Sequence, residues 1–374
     1  MTRLADLATP ALVIERSRLV ANLEQMKSRA LALGVRLRPH MKVAKAVAIA
    51  EIAVEEKGRG IAVQTPAEAE FFAQAGYADI TVCAAMIPSK LDRVARLADD
   101  DVGVTVITDS PDVARAIAAH GGHFAVLVEV DCGGHRAGVL PESPEAIEIA
   151  KILDGAPRVT FGGVLTNAAH CYQGRTRAEF EAIAEQERAA VVHVAERLSE
   201  AGIPCPVVSV GSTATAVFAK HLNGATETRP GLYVFNDLFR AGVGLCGRDD
   251  IALSLLSRVI GHYRSDNRLL IDAGVTSLSL DRGTERIEGG DQGFGVVLDE
   301  HLQPIAPGLK VAQLHTEHAW VGADEPLPFD SLPIGTMVRI LPNHANNTAT
   351  MHSHYDVVDG TSEVIARWPR QGGW

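Results

Sequence analysis

Apolar and polar positions follow two alternating periods from about residue 17 to residue 240. Runs with a period of two, typical of strands, are separated by stretches with the 3.6-residue period of amphipathic helices. Eight strand-like runs occur in the order VRLRPHMK, GIAVQT, ITVCAA, GVTVITD, FAVLVEVDC, FGGVLTN, VVSVGST and TRPGLYVF. Eight strand–helix repeats predict an α/β fold of the (β/α)8 TIM-barrel type, with an open doubly wound sheet as the alternative.

The pattern changes after about residue 248. Short runs such as GFGVVLD, TMVRILPNH and EVIARW are separated by Gly, Asp, Asn and Pro, and no helical period is evident. This pattern of short apolar runs and turn residues indicates an all-β domain. The sequence therefore predicts a barrel over residues 15–247 and a β domain over residues 248–374, to which a strand at residues 8–14 also belongs.

Composition narrows the classes of function. Apolar residues make up 47% of the chain and the net charge is −11. We expect neither nucleic-acid nor membrane binding, because both need a basic surface and no apolar run reaches transmembrane length. The N-terminal MTRLADLATP lacks the apolar region of a signal peptide. The five cysteines show no CxxC spacing, which predicts reduced thiols and a cytoplasmic location.

The first strand-like run carries cations on one face. In VRLRPHMK, Arg38, His40 and Lys42 share the face opposite the apolar residues. In a barrel that face points into the lumen, and active sites gather at the C-terminal ends of the strands. A solvated edge strand is the alternative, and Pro39 favours it because proline cannot donate to a central ladder. Lys45 is expected in the following helix as a surface charge.

The seventh strand-like run ends in VSVGSTAT. Gly211, Ser212 and Thr213 follow the strand and precede the helical stretch AVFAKHL. Backbone N–H groups in such a turn can bind an anion, although the same residues also suit an ordinary helix cap. The ends of strands one and seven lie near each other in a closed barrel. Pyridoxal 5′-phosphate (PLP) needs both a lysine, for an imine, and a phosphate-binding loop.

The order of motifs along nearly the whole chain resembles one enzyme family. The motifs are TPALVIERSRLVANL, RPHMKVAK, VQTPAEAE, VEVDCGGHRAGV, GVLTNAAHCY, VSVGSTAT, TRPGLYVFND, LIDAGVTSLSLDRG, LHTEHAWV and LPNHANNT. They are similar to those of the fold-type III PLP enzymes, in the D-threonine aldolase / D-serine dehydratase-like group. This resemblance implies an alanine-racemase-like barrel followed by a β domain, PLP as the cofactor, and a homodimer.

The resemblance also implies roles for individual residues. Lys42 matches the lysine that forms the imine with PLP, and Arg136 matches an arginine near the phenolic oxygen of PLP. The residues implied to bind the cofactor together with Lys42 are His40, Gln64, Arg136, Asn167, Gly211, Ser212, Thr213 and Tyr233. Three of them have structural alternatives. Gln64 can tie strand ends together, Arg136 can pair with a nearby acid, and Tyr233 can simply pack in the core.

Two positions depart from the family pattern. Members of the group hold a divalent metal with a histidine and, two residues on, an aspartate or cysteine; here the pair is His344 and Asn346. An amide oxygen is a weak ligand that suits Mn²⁺ or Mg²⁺ better than Zn²⁺, so either a loosely held cation or no metal is expected. In GVLTNAAHCY, where relatives often read THAGHSY, Asn167 replaces a histidine and His170 is kept. The substrate can therefore differ from the commonest one.

These residues imply a PLP-dependent lyase that acts on a small D-configured β-hydroxy-α-amino acid. We expect D-threonine aldolase-like cleavage to glycine and an aldehyde, with His170, or a water on a cation near His344, as the base. The alternative is β-elimination by a D-serine or D-3-hydroxyaspartate dehydratase, which yields a keto acid and ammonia. A racemase needs a second base that the sequence does not reveal. A non-catalytic PLP carrier and a sugar-phosphate enzyme without PLP are the rival classes.

Overall fold

A computed structural model describes residues 2–54, 56–287 and 289–374, without the side chain of Arg59. The chain divides into two compact units. One contains the N-terminal residues up to Leu23 together with Leu232–Gly372, and the other contains Glu24–Gly231 with Gly373–Trp374. The domain boundary that the sequence pattern places at residue 247 stays a prediction. Among the described residues, no helix combines the length and apolar character needed to cross a membrane.

The regular elements are numbered here in chain order. The strands are β1 Ala11–Glu15, β2 Arg36–Leu37, β3 Ile61–Val63, β4 Asp79–Ala85, β5 Gly103–Thr108, β6 Phe124–Val130, β7 Val159–Thr166, β8 Val207–Val210, β9 Glu227–Thr228, β10 Leu253–Tyr263, β11 Arg268–Ile271, β12 Gly295–Leu298, β13 Lys310–Leu314, β14 Ala319–Gly322, β15 Met337–Pro342, β16 His354–Val358 and β17 Ala366–Pro369. The α-helices are α1 Arg16–Ala32, α2 Val47–Ala53, α3 Pro66–Gln74, α4 Leu91–Asp99, α5 Pro111–His120, α6 Glu145–Asp154, α7 Arg177–Glu200, α8 Thr213–Phe218, α9 Leu238–Gly242, α10 Val275–Leu278 and α11 Ala345–Thr350.

Strands β2 to β9 form a curled parallel sheet. In the described part of the chain the sheet has eight strands in the order β2-β9-β8-β7-β6-β5-β4-β3. Its two edges are joined by the residues that follow β2. Met41 N–H donates to the carbonyl of Ala62 (2.7 Å), and Ala62 N–H donates to that of Pro39 (2.9 Å). The predicted TIM-type barrel is therefore confirmed, and the open sheet is excluded.

The first and last barrel strands are shorter than their sequence runs. VRLRPHMK is a strand only at Arg36–Leu37, and TRPGLYVF contributes only its first residue to β9. Each run contains a proline, and a proline has no N–H for the ladder. Lys45 also differs from expectation. It lies in a turn with φ +46°, and its side chain is 13% exposed and pairs with Glu68 at 3.0 Å.

The barrel helices begin where the sequence places helix-capping residues. Thr65, Ser110 and Thr176 each accept a hydrogen bond from the third backbone N–H of their helix. The helices bury apolar side chains against the outer face of the strands, for example Phe72 on α3 and Ile117 on α5. Each such side chain contributes about 2 kcal/mol by removal from water. The barrel is thus a rigid support for the ends of its strands.

The other unit is built on an antiparallel-rich sheet. Its described strands follow the order β11-β14-β13-β12-β15-β10-β1-β16-β17, in which β1 pairs with β10 antiparallel and with β16 parallel. The predicted all-β character of this part of the chain is confirmed. The short helices α10 and α11 interrupt it, and at four and six residues they are too short to show a helical period in the sequence.

Acids and arginines pair in the interior of the barrel unit. Arg38 contacts Asp79 at 2.7 Å and Glu227 at 3.0 Å, and Arg36 contacts Glu227 at 2.7 Å. Burial by itself would raise the pKa of Glu227, but the attraction of Arg38 and Arg229 outweighs it and lowers that pKa to about 2. Arg38 therefore neutralises the buried Glu227 and the partly buried Asp79, and it does not belong to an open site.

Replacing Arg38 by methionine should destabilise the protein, because Glu227 would remain buried with one of its cations removed. We expect the free energy of unfolding in urea to fall by about 3 kcal/mol. Arg115→Met is the matched control, since Arg115 pairs with acids at an exposed surface, and it should change the value by less than about 1 kcal/mol. Equal effects of the two substitutions would contradict this account of the interior.

Candidate active site

A cavity of about 240 Å³ opens at the C-terminal ends of the barrel strands. Active sites in barrels of this type lie at this end, where the loops that follow the strands converge. The residues that line the cavity are His40, Lys42, Gln64, Cys83, Ala84, Ala85, Glu129, Arg136, Ala137, Leu165, Asn167 and Arg229. Five of the site residues predicted from the sequence are therefore brought together here, namely His40, Lys42, Gln64, Arg136 and Asn167.

A larger cavity, of about 510 Å³, lies near Leu31 and β2. It is lined mainly by apolar side chains, with Lys27 and Arg36 as its charged groups. Among the described residues that line it, there is no carboxyl or imidazole group. The smaller cavity is therefore the candidate active site.

Lys42 is the amine of the site. It follows the residues that close the barrel, so its backbone position is determined by the sheet. Burial lowers the pKa of Lys42 below its usual value, and the positive charges of Arg136 and Arg229 lower it further. A larger share of the amine is thus neutral near pH 7 and can attack a carbonyl carbon.

His40 lies next to Lys42 and is almost fully buried. Its backbone N–H donates to the carbonyl of Pro230 (2.9 Å), and its Nδ1 accepts a hydrogen bond from the backbone N–H of Lys42 (3.3 Å). Burial, followed by repulsion from Lys42 and Arg229, lowers the pKa of His40 well below its usual value. The imidazole is therefore neutral and has a fixed orientation against the lysine turn.

Gln64 and Arg136 line the cavity in different ways. The amide nitrogen of Gln64 donates to the carbonyl of Cys83 (3.2 Å), so this side chain does tie two strand ends together. Arg136 makes no hydrogen bond or ion pair within residues 2–54, 56–287 and 289–374. Two acids were expected as alternative partners, Asp131 and Glu129. Asp131 instead accepts hydrogen bonds from Gly133 and His135, whereas the positive charge of Arg136 acts on Glu129 and opposes the rise of its pKa. The guanidinium of Arg136 remains available to an anionic ligand.

Arg229 is a site residue that the sequence reasoning missed. It is buried, its Nη2 donates to the carbonyl of Thr166 (2.8 Å), and its Nη1 donates to the hydroxyl of Ser209. The motif TRPGLYVFND drew attention to Tyr233 alone. The available signal was a cation within the strand-like run TRPGLYVF, at the residue before the proline.

The loop after β8 is held by two side chains. Gly211 N–H donates to the carboxylate of Glu187 (3.3 Å), and the Asn167 amide donates to the carbonyl of Gly211. The hydroxyl of Ser212 lies 3.0 Å from the Cys171 sulfur. A side chain at Gly211 would approach Arg229 at 3.2 Å, so the glycine permits this packing. The predicted phosphate loop, which includes Thr213, thus lies beside a cavity residue.

His170 follows β7 in a short 3-10 helix. Both ring nitrogens are buried and have no hydrogen-bond partner in the described part of the chain. Nδ1 would be 3.0 Å from a Cβ on Gly134. His170 is not among the residues that line the cavity, so its role as a base stays a prediction. An imidazole without partners is nevertheless able to take or give a proton when a ligand arrives.

Three of the predicted site residues belong to the other unit. Tyr233 is buried there, and its hydroxyl has no hydrogen-bond partner among the described residues. His344 Nδ1 lies 2.7 Å from Asp281, and this hydrogen bond lowers the pKa of Asp281. Asn346 contacts Asn347 (3.5 Å). Among the described residues, no three His, Cys, Asp or Glu side chains gather as metal ligands, so the donors here fit at most a weakly held cation.

The sequence matches two families of known domains. Residues 14–238 match the alanine racemase N-terminal domain, and residues 252–358 match the putative serine dehydratase domain. The chain is 41% identical over 381 residues to the D-threo-3-hydroxyaspartate dehydratase of Delftia sp. (strain HT23), covering 99% of both chains. It is 30% identical over 373 residues to the D-threonine aldolase of Arthrobacter sp., covering 97% of this chain and 92% of the aldolase.

A solved structure of the Delftia dehydratase is also similar. It superposes with a TM-score of 0.95 at 39% identity, covering 100% of each chain. Both relatives are lyases, and the expected enzyme class is therefore supported in its general form. The chain belongs to the fold-type III PLP-dependent enzymes, in the group that joins an alanine-racemase-type barrel to a serine dehydratase-type β domain.

Proposed function

We propose that this protein is a PLP-dependent dehydratase of D-3-hydroxyaspartate or a closely related D-β-hydroxy amino acid. The observation that carries the proposal is the 41% identity to the Delftia dehydratase over 99% of both chains, against 30% to the aldolase. This favours the β-elimination that the sequence offered as its alternative over the retro-aldol cleavage that it favoured.

The residues that line the cavity fit PLP. Lys42 supplies an amine whose pKa is lowered by burial, and Arg136 and Arg229 supply two cations for the acidic groups of the cofactor and substrate. Gly211 and its neighbours in the loop after β8 would hold the phosphate. When bound, PLP supplies an electron sink for the bond that breaks at the substrate Cα.

The charge of the cavity favours an acidic substrate. Lys42, Arg136 and Arg229 line it together with one carboxyl group, that of Glu129. Burial raises the pKa of Glu129, and the positive charge of Arg136 opposes that rise. A substrate with a second carboxylate, such as 3-hydroxyaspartate, gains more from this field than threonine or serine does.

The proton transfers can be assigned to residues of this chain. In β-elimination the substrate loses the proton at Cα and then hydroxide from Cβ. In the PLP-loaded enzyme, the amine of Lys42 would be the base that takes the Cα proton. His170 is the acid for the departing hydroxyl, because its ring nitrogens have no other partner in the described residues.

A divalent cation near His344 would act as a Lewis acid and assist the departure of the substrate hydroxyl group. Asp281 contacts Nδ1 of His344, which leaves Nε2 as the ligating nitrogen. Asn346 would offer an amide oxygen in place of the carboxylate or thiolate of the family. We therefore propose a weakly bound Mn²⁺ or Mg²⁺.

The products distinguish the two lyase reactions. Purified protein loaded with PLP and given D-threo-3-hydroxyaspartate should form oxaloacetate and ammonia in equal amounts, because elimination of water leaves an enamine that hydrolyses. D-Serine and D-threonine, which lack the second carboxylate, should turn over at least about tenfold more slowly. The measurement is a time course of keto acid, ammonia and glycine. Glycine with glyoxylate as the main products would show an aldolase instead.

Matched lysine variants control that assay. Lys42→Ala should abolish product formation, whereas Lys45→Arg should retain it, because Lys45 forms an ion pair with Glu68 that an arginine preserves. Loss of activity in both variants would point to folding and not to the amine.

Removal of metal ions tests whether the activity depends on a divalent cation. Activity should fall after EDTA treatment and return with added Mn²⁺. An Asn346→Asp variant should need roughly tenfold less Mn²⁺ for half-maximal recovery, since a carboxylate binds a hard cation more strongly than an amide. The measurement is initial rate against free Mn²⁺ concentration. Activity that is unaffected by EDTA, or identical Mn²⁺ dependence in the two proteins, would contradict a metal at this position.

A further inference from the structure

Glu187 is a buried carboxyl group that neither the motifs nor the proposed reaction uses. It lies in the middle of α7 and is 1% exposed. Its Oε1 accepts hydrogen bonds from the backbone N–H groups of Ala168 (2.8 Å) and Gly211 (3.3 Å). These two residues follow β7 and β8. One carboxylate oxygen therefore joins the loops after two neighbouring barrel strands.

The same two loops are joined a second time by Asn167. Its side-chain amide donates to the carbonyl of Gly211, while Asn167 itself lines the cavity. Gly211 is thus held at its N–H by Glu187 and at its carbonyl by Asn167. With both groups fixed, the two peptide units that flank Gly211, at the start of the predicted phosphate loop, have little freedom to turn.

A buried carboxyl group at this position would destabilise the fold if it served only to fill space. Burying a charged group is costly unless it is well hydrogen-bonded, and burial raises the pKa of Glu187. The groups that face it are two backbone N–H donors and the Thr215 hydroxyl, with a more distant attraction from Arg229. The two backbone contacts lead to the loops after β7 and β8, and Thr215 lies on α8, which follows the second of these loops.

We propose that Glu187 is a positioning residue for the phosphate of PLP. By accepting from Ala168 and Gly211 at once, it fixes the loop after β8 relative to the loop that carries Asn167. This inference rests on the proposed function, because it takes PLP as the ligand. It adds a residue from the outer helix layer to the determinants of cofactor affinity.

The test compares two ligands that differ only in the phosphate. Apoprotein of the full chain is titrated with PLP and with pyridoxal, and imine formation is followed by absorbance. Glu187→Met keeps the volume of the side chain but leaves two buried N–H groups without an acceptor. It should weaken PLP binding by roughly tenfold or more and change pyridoxal binding by less than about twofold.

Two further variants make the result specific. Glu187→Gln keeps an oxygen acceptor and should bind both ligands like the wild type. Glu185→Ala, two residues away on the same helix, removes a half-exposed side chain that pairs with Arg188, and it should also leave both affinities unchanged.

If the methionine variant does not fold, Glu187→Asp replaces it. Its shorter side chain cannot reach both N–H groups, so the ratio of PLP to pyridoxal affinity should fall.

Two results would overturn the inference. One is an unchanged ratio of PLP to pyridoxal affinity in the methionine or aspartate variant, which would show a purely structural role. The other is a glutamine variant as impaired as the methionine variant, which would show that acceptance of hydrogen bonds is not the cause. Failure of the wild type to bind PLP would instead refute the proposed function itself, so the two failures are distinguishable.

Discussion

The barrel is closed by backbone hydrogen bonds at the residues just before Lys42. Ala62 donates to Pro39 and accepts from Met41, and on the other side His40 donates to Pro230. A strand of two residues is enough for this closure because the next residues continue the ladder on both sides. The amine of Lys42 is thereby placed at the C-terminal mouth of the barrel by the same bonds that complete the sheet.

The cations Arg38 and Lys42 of the barrel unit lie in two different electrostatic environments. Arg38 is neutralised by carboxylates at 2.7 and 3.0 Å, and its contribution is to stability. Lys42, four residues on, is surrounded by two guanidinium groups and has a lowered pKa. The guanidinium groups of Arg136 and Arg229 attract anions into this partly enclosed cavity. A cofactor with a phosphate and a substrate with two carboxylates are ligands that suit such a cavity.

The sequence allowed the barrel and the β domain to be predicted, because period-two runs mark strands. The same alternation marks His40 and Lys42 at a strand end, whereas Gln64, Arg136 and Asn167 came from the resemblance to the family. The sequence did not reveal where the first barrel strand ends. The apolar alternation continues through Pro39, although the strand ends at Leu37. Glu187 was missed for a different reason. An acid within a long helix looks like any solvated helix residue, and only the packing of α7 shows that it reaches two strand ends. Arg229 was missed although it lies within the motif TRPGLYVFND, because only Tyr233 of that motif was assigned a role.

The central claim is that PLP is bound by Lys42 at the closure of the barrel. Reduction of the PLP-loaded protein with borohydride, followed by peptide mass spectrometry, tests it directly because the reduced imine remains on the lysine that formed it. The account predicts a single pyridoxyl label on Lys42. A label on Lys45, which lies three residues away in an ion pair with Glu68, or on any other lysine would contradict it.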